Sequence, residues 1–293
     1  MLTVPAPAKI NLTLEVLKKR DDGYHEIASV IQAIDLCDML SFEAGSGVEI
    51  VCDDPAWQAK ESLIPKAASL LREHCAAAKG VKITLSKRIP LLSGLAGDSS
   101  CAAATLKGLN SLWELSYTRG QLAEFAAGLG SDIAFFLSGG TALLQGRGEI
   151  VSPLPTLPEM WLVLLMPQVE RTIGKTGKLY SSLQARFFTE GEKTEDLIKK
   201  LTCGQNIGHE SLFNVFEKVA YHVYDGLDKC RSDFISAGAA GVHLAGSGPT
   251  LYTLTADKSE AHRIRGRLTA MGYHAEAVKT LGSNDVLKAG AAV

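Results

Sequence analysis

PLLSGLAGDSSCAAATLKGLN, residues 90–110, decides the reading of this chain. The segment before it, 81–89, is rich in strand formers, so a strand runs into a glycine-bearing loop and the loop opens into an alanine-rich helix. Ala102, Leu106, Leu109 and Trp113 recur at spacings of four, three and four, one face of a helix. The first turn of such a helix carries backbone N–H groups with no intrahelical acceptor. Together with the helix dipole they form an anion site, and phosphate is the anion it suits best. Asp98, Ser99 and Ser100 equally suit plain N-terminal capping. The stretch alone therefore leaves a structural and a phosphate-binding reading open. It is neither GxxxxGK[ST] nor GxGxxG, which excludes the generic P-loop and dinucleotide fingerprints.

The chain has 293 residues, enough for one large domain or two ordinary ones. Hydrophobic residues make up 46% and charged residues 21%, as in a soluble globular protein with a sizeable core. A formal net charge of −2, without a basic block, argues against nucleic acid as the main partner. Six cysteines, at 37, 52, 75, 101, 203 and 230, form no CxxC pair and no Cys/His ligand cluster. Scattered thiols of this kind read as reduced residues of a cytoplasmic protein. Cys101, at the start of the loop helix, is either a space-filler or a thiol with a lowered pKa. The first residues, MLTVPAPAKINLTLEV, lack the pattern of a signal peptide. The apolar segment 160–167 is too short to span a bilayer and reads as a buried strand.

Along the chain, 10–17 reads as a strand and KKRDDGY at 18–24 as a hairpin turn. Strands are expected at 27–34, 40–42, 142–145 and 161–166. A strand–loop–strand is expected over 241–255. Helices are expected at 62–78 (with Leu63, Ala67, Leu70, Leu71 and Cys75 on one face), 121–128, 175–186, 195–201, 214–229 and 259–271. The tail beyond Asn284 is expected to fray. SPLPTLPE, 152–159, carries three prolines and is the best candidate for a domain junction. Strands and helices mix without strict alternation, which points to an α+β fold.

Four segments carry possible chemistry. PAKINL, 7–12, places Lys9 at a strand start, pointing into a pocket or into solvent, the ordinary place for lysine. GYHE, 23–26, is either a hairpin end with a surface histidine or a stacking platform for a planar ring. In LGSDIAFFLSGG, 129–140, Asp132 is either a helix cap or a partly buried acid. LAGSGPT, 244–250, is either a β-turn or a second loop presenting amides to a phosphate. Phosphoryl transfer needs a cradle for nucleotide phosphates, a cation near the transferred group and an acid-derived group beside the attacking hydroxyl. The 90–100 loop, Lys9 and Asp132 can supply these three.

PAKINL at 7–12, DGYHEI at 22–27, SGLAGDSSCAAATLKGLN at 93–110, GSDIAFFLSGGTALLQGRGE at 130–149 and AGSG at 245–248 resemble, in order and spacing, the galactokinase–homoserine kinase–mevalonate kinase–phosphomevalonate kinase superfamily. The resemblance spans nearly the whole chain. PAKINL with DGYH is specific to one branch, whose acceptor is a cytidyl diphosphate alcohol of the non-mevalonate isoprenoid pathway. The resemblance implies a two-domain small-molecule kinase fold, α+β, with the active-site cleft between an ATP-binding domain at 1–155 and a substrate-cleft domain at 156–293. It implies ATP-dependent phosphorylation of the acceptor's 2-hydroxyl, in a cytoplasmic monomer or homodimer. By the same resemblance Asp132 acts on that hydroxyl as base or orienting charge, and Lys9 stabilises charge nearby. Tyr24 and His25 hold the cytosine ring, and Asn11 lines the same cleft. Pro90, Leu91, Leu92, Ser93, Gly94, Leu95, Ala96, Gly97, Asp98, Ser99 and Ser100 match the segment that binds ATP phosphates, with Mg²⁺ arriving largely held by phosphates and water.

Two residues depart from the superfamily's pattern. Loops of the superfamily commonly read GLGGGSS or GLAGGSS, and Asp98 stands where they have a third glycine. Its carboxylate is expected to turn away from the phosphates and cap the helix that follows. Ser62 stands where an asparagine is common and lacks its amide. Two other readings fit less of the chain: a kinase for another small alcohol such as homoserine or mevalonate, and a nucleotide-binding protein that has lost catalysis.

Overall fold

The computed structural model describes residues 1–74, 79–168, 174–283 and 285. Four strands come first: β1 (Leu2–Asn11), β2 (Thr13–Lys19), β3 (His25–Gly45) and β4 (Val48–Cys52). β1 and β2 both pair antiparallel with β3. The β2–β3 turn closes where the Arg20 amide donates to the Tyr24 carbonyl at 2.8 Å, with Gly23 at φ +83°. The two strands expected at 27–34 and 40–42 are one 21-residue strand. The polar residues Asp35 and Asp38 hide its continuity in sequence. The irregularity is a bulge on β3 itself: the adjacent β1 residues Pro7 and Ala8 pair with Cys37 and Ile34, which leaves Asp35 and Leu36 as the extra residues.

Helix α1 (Ile64–Glu73) follows, then β5 (Gly80–Ser86), which joins β4 in parallel and β3 antiparallel. Cys75 and the end of the helix expected at 62–78 lie outside the described residues, as does the tail beyond 284 apart from Asp285. Helix α2 (Gly97–Leu112) lies across β1 and β3 and against α1. Its face of Ala102, Leu106 and Leu109, with Trp113 just beyond, is buried in one core with Phe42, Leu71 and Phe135. The small residues allow close approach: a Cβ on Gly108 would lie 2.4 Å from Phe42 Cε2. Helices α3 (Arg119–Ala127) and α4 (Ile133–Ser138) close that core, and strands β6 (Thr141–Gly146) and β7 (Ile150–Pro153) complete the first sheet.

The chain passes over 154–160 into a second, antiparallel sheet. Its central strand β8 (Trp161–Met166) buries Leu162, Val163, Leu164 and Leu165 completely. The rest of the chain runs α5 (Lys175–Ser182), α6 (Glu192–Thr202), β9 (Phe213–Asn214), α7 (Glu217–Val223), α8 (Leu227–Ser236), β10 (His243–Leu244), β11 (Leu251–Thr255), α9 (Lys258–Ala270) and β12 (His274–Lys279). The sheet order is β10-β11-β8-β12, while β9 returns to pair in parallel with β2 of the first sheet. The single helix expected over 214–229 is instead β9, α7 and α8. It is interrupted by extended Tyr224 and by Gly226 at φ +76°. Apolar residues keep a helical period through that break, so periodicity alone misses it. Strands β7 and β12 are also not anticipated by sequence, whereas α4 begins after Asp132, where the sequence offers a helix cap. Among the described residues no helix is long and apolar enough to cross a membrane.

Gly108→Ala tests the packing of α2. Alanine gains about 1 kcal/mol of helix propensity over glycine, but overpacking costs about 1–3 kcal/mol, and Phe42 is wholly buried. The variant is expected to unfold at lower urea with an unchanged m-value. An equal or higher midpoint would show that the Phe42 ring yields.

Candidate active site

The loop at 90–97 hangs between two fixed points. At its entrance, Asp38 of β3 has no exposure and accepts four hydrogen bonds. Its Oδ1 accepts from the Arg88 amide (2.6 Å) and the Ile89 amide (2.8 Å). Its Oδ2 accepts from Lys87 Nζ (2.7 Å) and the Cys101 thiol (3.3 Å). At its exit, Gly97 begins α2 against Ile89, whose Cγ2 lies 2.9 Å from where a Cβ would stand. Between them Leu92 (φ +53°), Gly94 (φ +85°) and Ala96 (φ +57°) take left-handed conformations. Burial, with Asp38 beside it, pushes the Cys101 thiol well above its ordinary pKa. Both effects oppose activation of this thiol by the helix dipole. In the first turn of α2, Ser100 Oγ is buried without a hydrogen-bond partner.

Asp98 turns away from the loop, but it caps a different helix from the one expected. It accepts from the Ser62 hydroxyl (2.6 Å) and the Leu63 amide (2.9 Å), and Ser62 Oγ in turn accepts from the Ile64 amide (3.2 Å). The carboxylate thus serves the start of α1 rather than the start of its own helix. The two residues that depart from the superfamily pattern are bonded to each other. Burial raises the Asp98 pKa, and the bonds from Ser62 and Leu63 partly offset that.

Lys9 is buried near the end of β1. Its Nζ donates to Asn11 Oδ1 at 2.8 Å and stands 4.0 Å from Asp132 Oδ2. The Asn11 amide is fixed by a relay: Nδ2 donates to Ser29 Oγ (2.8 Å), and Ser29 Oγ donates to the Thr13 carbonyl (2.6 Å). Because the serine proton is committed to a carbonyl, Ser29 accepts from Asn11, and Oδ1 is left facing the lysine. Burial lowers the Lys9 pKa, and the nearby Asp132 charge restores part of it. Asp132 sits at the N-cap position of α4 but makes no capping hydrogen bond. Its carboxylate, about one-third exposed, faces Lys9.

The aromatic residues take separate partners. His25 stacks on Tyr180 (centroids 4.8 Å apart, 19° between planes), with Phe188 edge-on at 5.9 Å. Burial, then the Lys19 charge, lowers the His25 pKa and favours a neutral ring. The Tyr180 hydroxyl is pushed up to about 12 by burial, with the negative charge of Asp132 adding to it. Tyr180 thus stacks on the histidine and lies within electrostatic reach of the carboxylate. Tyr24 is exposed, and the Arg147 guanidinium lies 4.7 Å from its ring centroid. The turn that carries Arg147 leans on Ser131: a Cβ at Gly148 would be 3.5 Å from Ser131 Cβ.

The 245–248 loop roofs this assembly. A Cβ on Gly246 would stand 2.9 Å from Lys9 Nζ and 2.7 Å from the Gly94 carbonyl. Most of the loop's carbonyls are spoken for. Asn214 Nδ2 donates to those of Leu244 and Gly246 at 2.8 Å each, the Tyr224 hydroxyl to Ser247 at 2.7 Å, the Gly248 amide to Ala245 at 2.8 Å, and Lys175 Nζ to Gly248. The Ala245 and Gly248 amides are also taken, by the Thr250 and Ala245 carbonyls, which leaves those of Gly246 and Ser247 for an anion. The structure thus brings Lys9, Asn11, Asp132, the 90–100 loop and the 245–248 loop together, with the stacked pair His25 and Tyr180 nearby. Tyr180, Arg147 and Lys175 were not singled out by sequence. Tyr180 and Lys175 fall in a stretch that reads as an ordinary helix, and no local pattern marks either.

Residues 62–140 match the family described as GHMP kinases N terminal domain, and residues 181–274 match GHMP kinases C terminal. The chain is 52% identical, over 97% of its length and all of the relative's, to a 4-diphosphocytidyl-2-C-methyl-D-erythritol kinase from Dehalococcoides mccartyi. A crystal structure of 4-(cytidine 5'-diphospho)-2C-methyl-D-erythritol kinase superposes with a TM-score of 0.82 at 32% identity, covering 96% of this chain and all of that one. Homoserine kinase from Cytophaga hutchinsonii, at 19% identity and a TM-score of 0.75 over 96% of this chain and 94% of its own, shares the fold.

Two substitutions test the geometry. Below its lowered pKa the charged Lys9 opposes folding, and the penalty fades as pH rises toward the unfolded value. Lys9→Met is therefore expected to match or exceed the wild-type thermal midpoint at pH 7, with the gap narrowing by pH 10. A lower midpoint at pH 7 would contradict a net penalty. Asp98→Gly is expected to cost about 1–2 kcal/mol through the lost cap, read by urea unfolding, without tightening ATP binding. Markedly tighter ATP would mean that the acid faces the phosphates.

Proposed function

Since this chain belongs to the 4-diphosphocytidyl-2-C-methyl-D-erythritol kinases of the GHMP kinase family, we propose that its cleft transfers the γ-phosphoryl of ATP to the 2-hydroxyl of 4-diphosphocytidyl-2-C-methyl-D-erythritol. The product belongs to the non-mevalonate route to isoprenoid precursors. The observation that carries the reading is the approach of Lys9 and Asp132 to 4.0 Å beneath two glycine loops.

In this reading the first-turn amides of α2 and the loop before it cradle the ATP phosphates. Asp132 orients the acceptor hydroxyl or takes its proton as the new O–P bond forms. The bond from the γ-phosphorus to the β–γ bridging oxygen breaks in the same displacement. Lys9, set by Asn11, stabilises negative charge on the transferring group, and the burial of its ammonium strengthens that effect. His25, with Tyr180 behind it, and Tyr24 receive the cytosine. A flat ring platform has no purpose for an acyclic acceptor such as homoserine, which favours the cytidyl compound. The presence of both Lys9 and Asp132 favours an enzyme over a binding protein.

Mg²⁺ fits this site as a companion of the nucleotide. Among the described residues no group of three or more His, Cys, Asp or Glu side chains could hold a metal. The unpartnered Ser100 Oγ is a hard oxygen donor in the first turn of α2. Mg²⁺ would neutralise phosphate charge there, with Ser100 as its protein ligand. We assign residues 1–155 to an ATP-binding domain, which also carries Asp132, Tyr24 and His25, and 156–293 to a substrate-cleft domain, which adds Tyr180. The scattered thiols favour a cytoplasmic setting.

Asp132→Ala tests the assignment. Losing a positioned acid–base group lowers turnover by about 10²–10⁴-fold, and acceptor binding by calorimetry is expected to stay within a few-fold. Wild-type turnover by the variant, followed as acceptor-dependent ADP release, would remove Asp132 from the mechanism. No acceptor-dependent release from the wild-type chain would refute the proposed reaction.

A further inference from the structure

The two glycine loops meet backbone to backbone. A Cβ on Gly94 would lie 2.3 Å from the Ala245 carbonyl and 2.8 Å from the Gly248 amide, and the Thr250 amide donates to the Ser93 carbonyl at 3.2 Å. One buried cation spans this seam. Lys175, the first residue of α5, is 7% exposed, and its ammonium donates to the carbonyls of both Leu92 and Gly248. The Tyr224 ring lies 5.7 Å from that nitrogen and ties back to the same loop through its hydroxyl. Thr176 adds a hydroxyl contact to Ser247 at 3.0 Å.

Leu92 shows what the cation is for. It stands at φ +53°, a region that disfavours a leucine, and it is 45% exposed. With half its side chain in water, burial does little to hold that conformation. Its carbonyl, however, is fixed by a charged donor in a dry seam, where such a bond is strong. We propose that Lys175 is a positioning residue for nucleotide binding: it holds Leu92 in its left-handed conformation and locks the 90–97 loop to the 245–248 loop, so that both sets of amides face one cleft. The inference rests on the reading of this cleft as an ATP site and goes beyond it, because Lys175 acts through Leu92 rather than on the phosphates.

ATP binding alone, measured by calorimetry at fixed salt, tests this without any acceptor. Lys175→Met leaves the loop competent only part of the time, and the apparent affinity falls by that fraction, expected to be about tenfold or more. Leu92→Gly removes the need for the clamp, since glycine takes positive φ at no steric cost. Lys175→Met/Leu92→Gly is therefore expected to bind ATP within about threefold of Leu92→Gly alone, by the same relation. Two results would overturn the proposal: wild-type affinity in Lys175→Met, or a loss that Leu92→Gly does not recover. The second is what direct contact between Lys175 and phosphate would give. If Lys175→Met does not fold, Lys175→Gln, which keeps a donor but not the charge, is read by the same two criteria. Failure of the wild-type chain to bind ATP would instead refute the nucleotide site itself.

Discussion

Asp38 carries a buried charge that sequence places far from the loop it serves. Its two oxygens hold Lys87, the amides of residues 88 and 89, and the Cys101 thiol. Removing one partner of such a buried pair costs roughly 3–5 kcal/mol, because the remaining charge has no solvent to turn to. The consequence is geometric as much as energetic. Residues 87–89 are fixed to β3, and Ile89 in turn seats the first turn of α2. A loop fixed at both ends can hold residues in conformations it would not choose alone. Leu92 and Ala96 are such residues.

The charged residues of the cleft follow the same logic with the opposite sign of benefit. Lys9 sits where its ammonium is poorly solvated, and one asparagine oxygen and a carboxylate at 4.0 Å do not fully compensate it. In the proposed reaction, a phosphoryl group entering beside it would meet a cation with few competing partners. Asp132 forgoes the capping bond its position on α4 would allow. Both residues trade local stability for availability, a common pattern at catalytic sites.

How much of this was legible depends on the range of the interaction. The strand–loop–helix at 81–112 could be read because its signals are local: apolar period, glycines and small hydroxyl residues. Lys9 and Asp132 could be nominated from residues, but their approach could not, since 123 positions separate them in the chain. A lone lysine on a strand is ordinarily exposed, and nothing near Lys9 announces a buried relay through Asn11 and Ser29. Asp98 was expected to turn outward, and it does. The helix it caps begins more than 30 residues earlier, beyond the reach of a local capping argument. Long β3 was broken in two by its own acids, and α7 and α8 were fused by an apolar period that crosses Gly226. Tyr180 and Lys175 stayed hidden because their partners come from other parts of the chain.

The 245–248 loop also sets when, during synthesis, the surroundings of Lys9 are complete. Strands β1 to β7 need only the first 153 residues, and N-terminal units tend to fold as they emerge. The roof over Lys9 is made by Gly246, about 90 residues later, a delay of roughly 5–20 s at ordinary elongation rates. Until then the 90–97 loop lacks the backbone of Ala245 and Gly248 that faces Gly94, and the first sheet lacks β9. The nascent half of the chain thus carries the 90–97 loop and Lys9 without the backbone that closes over them.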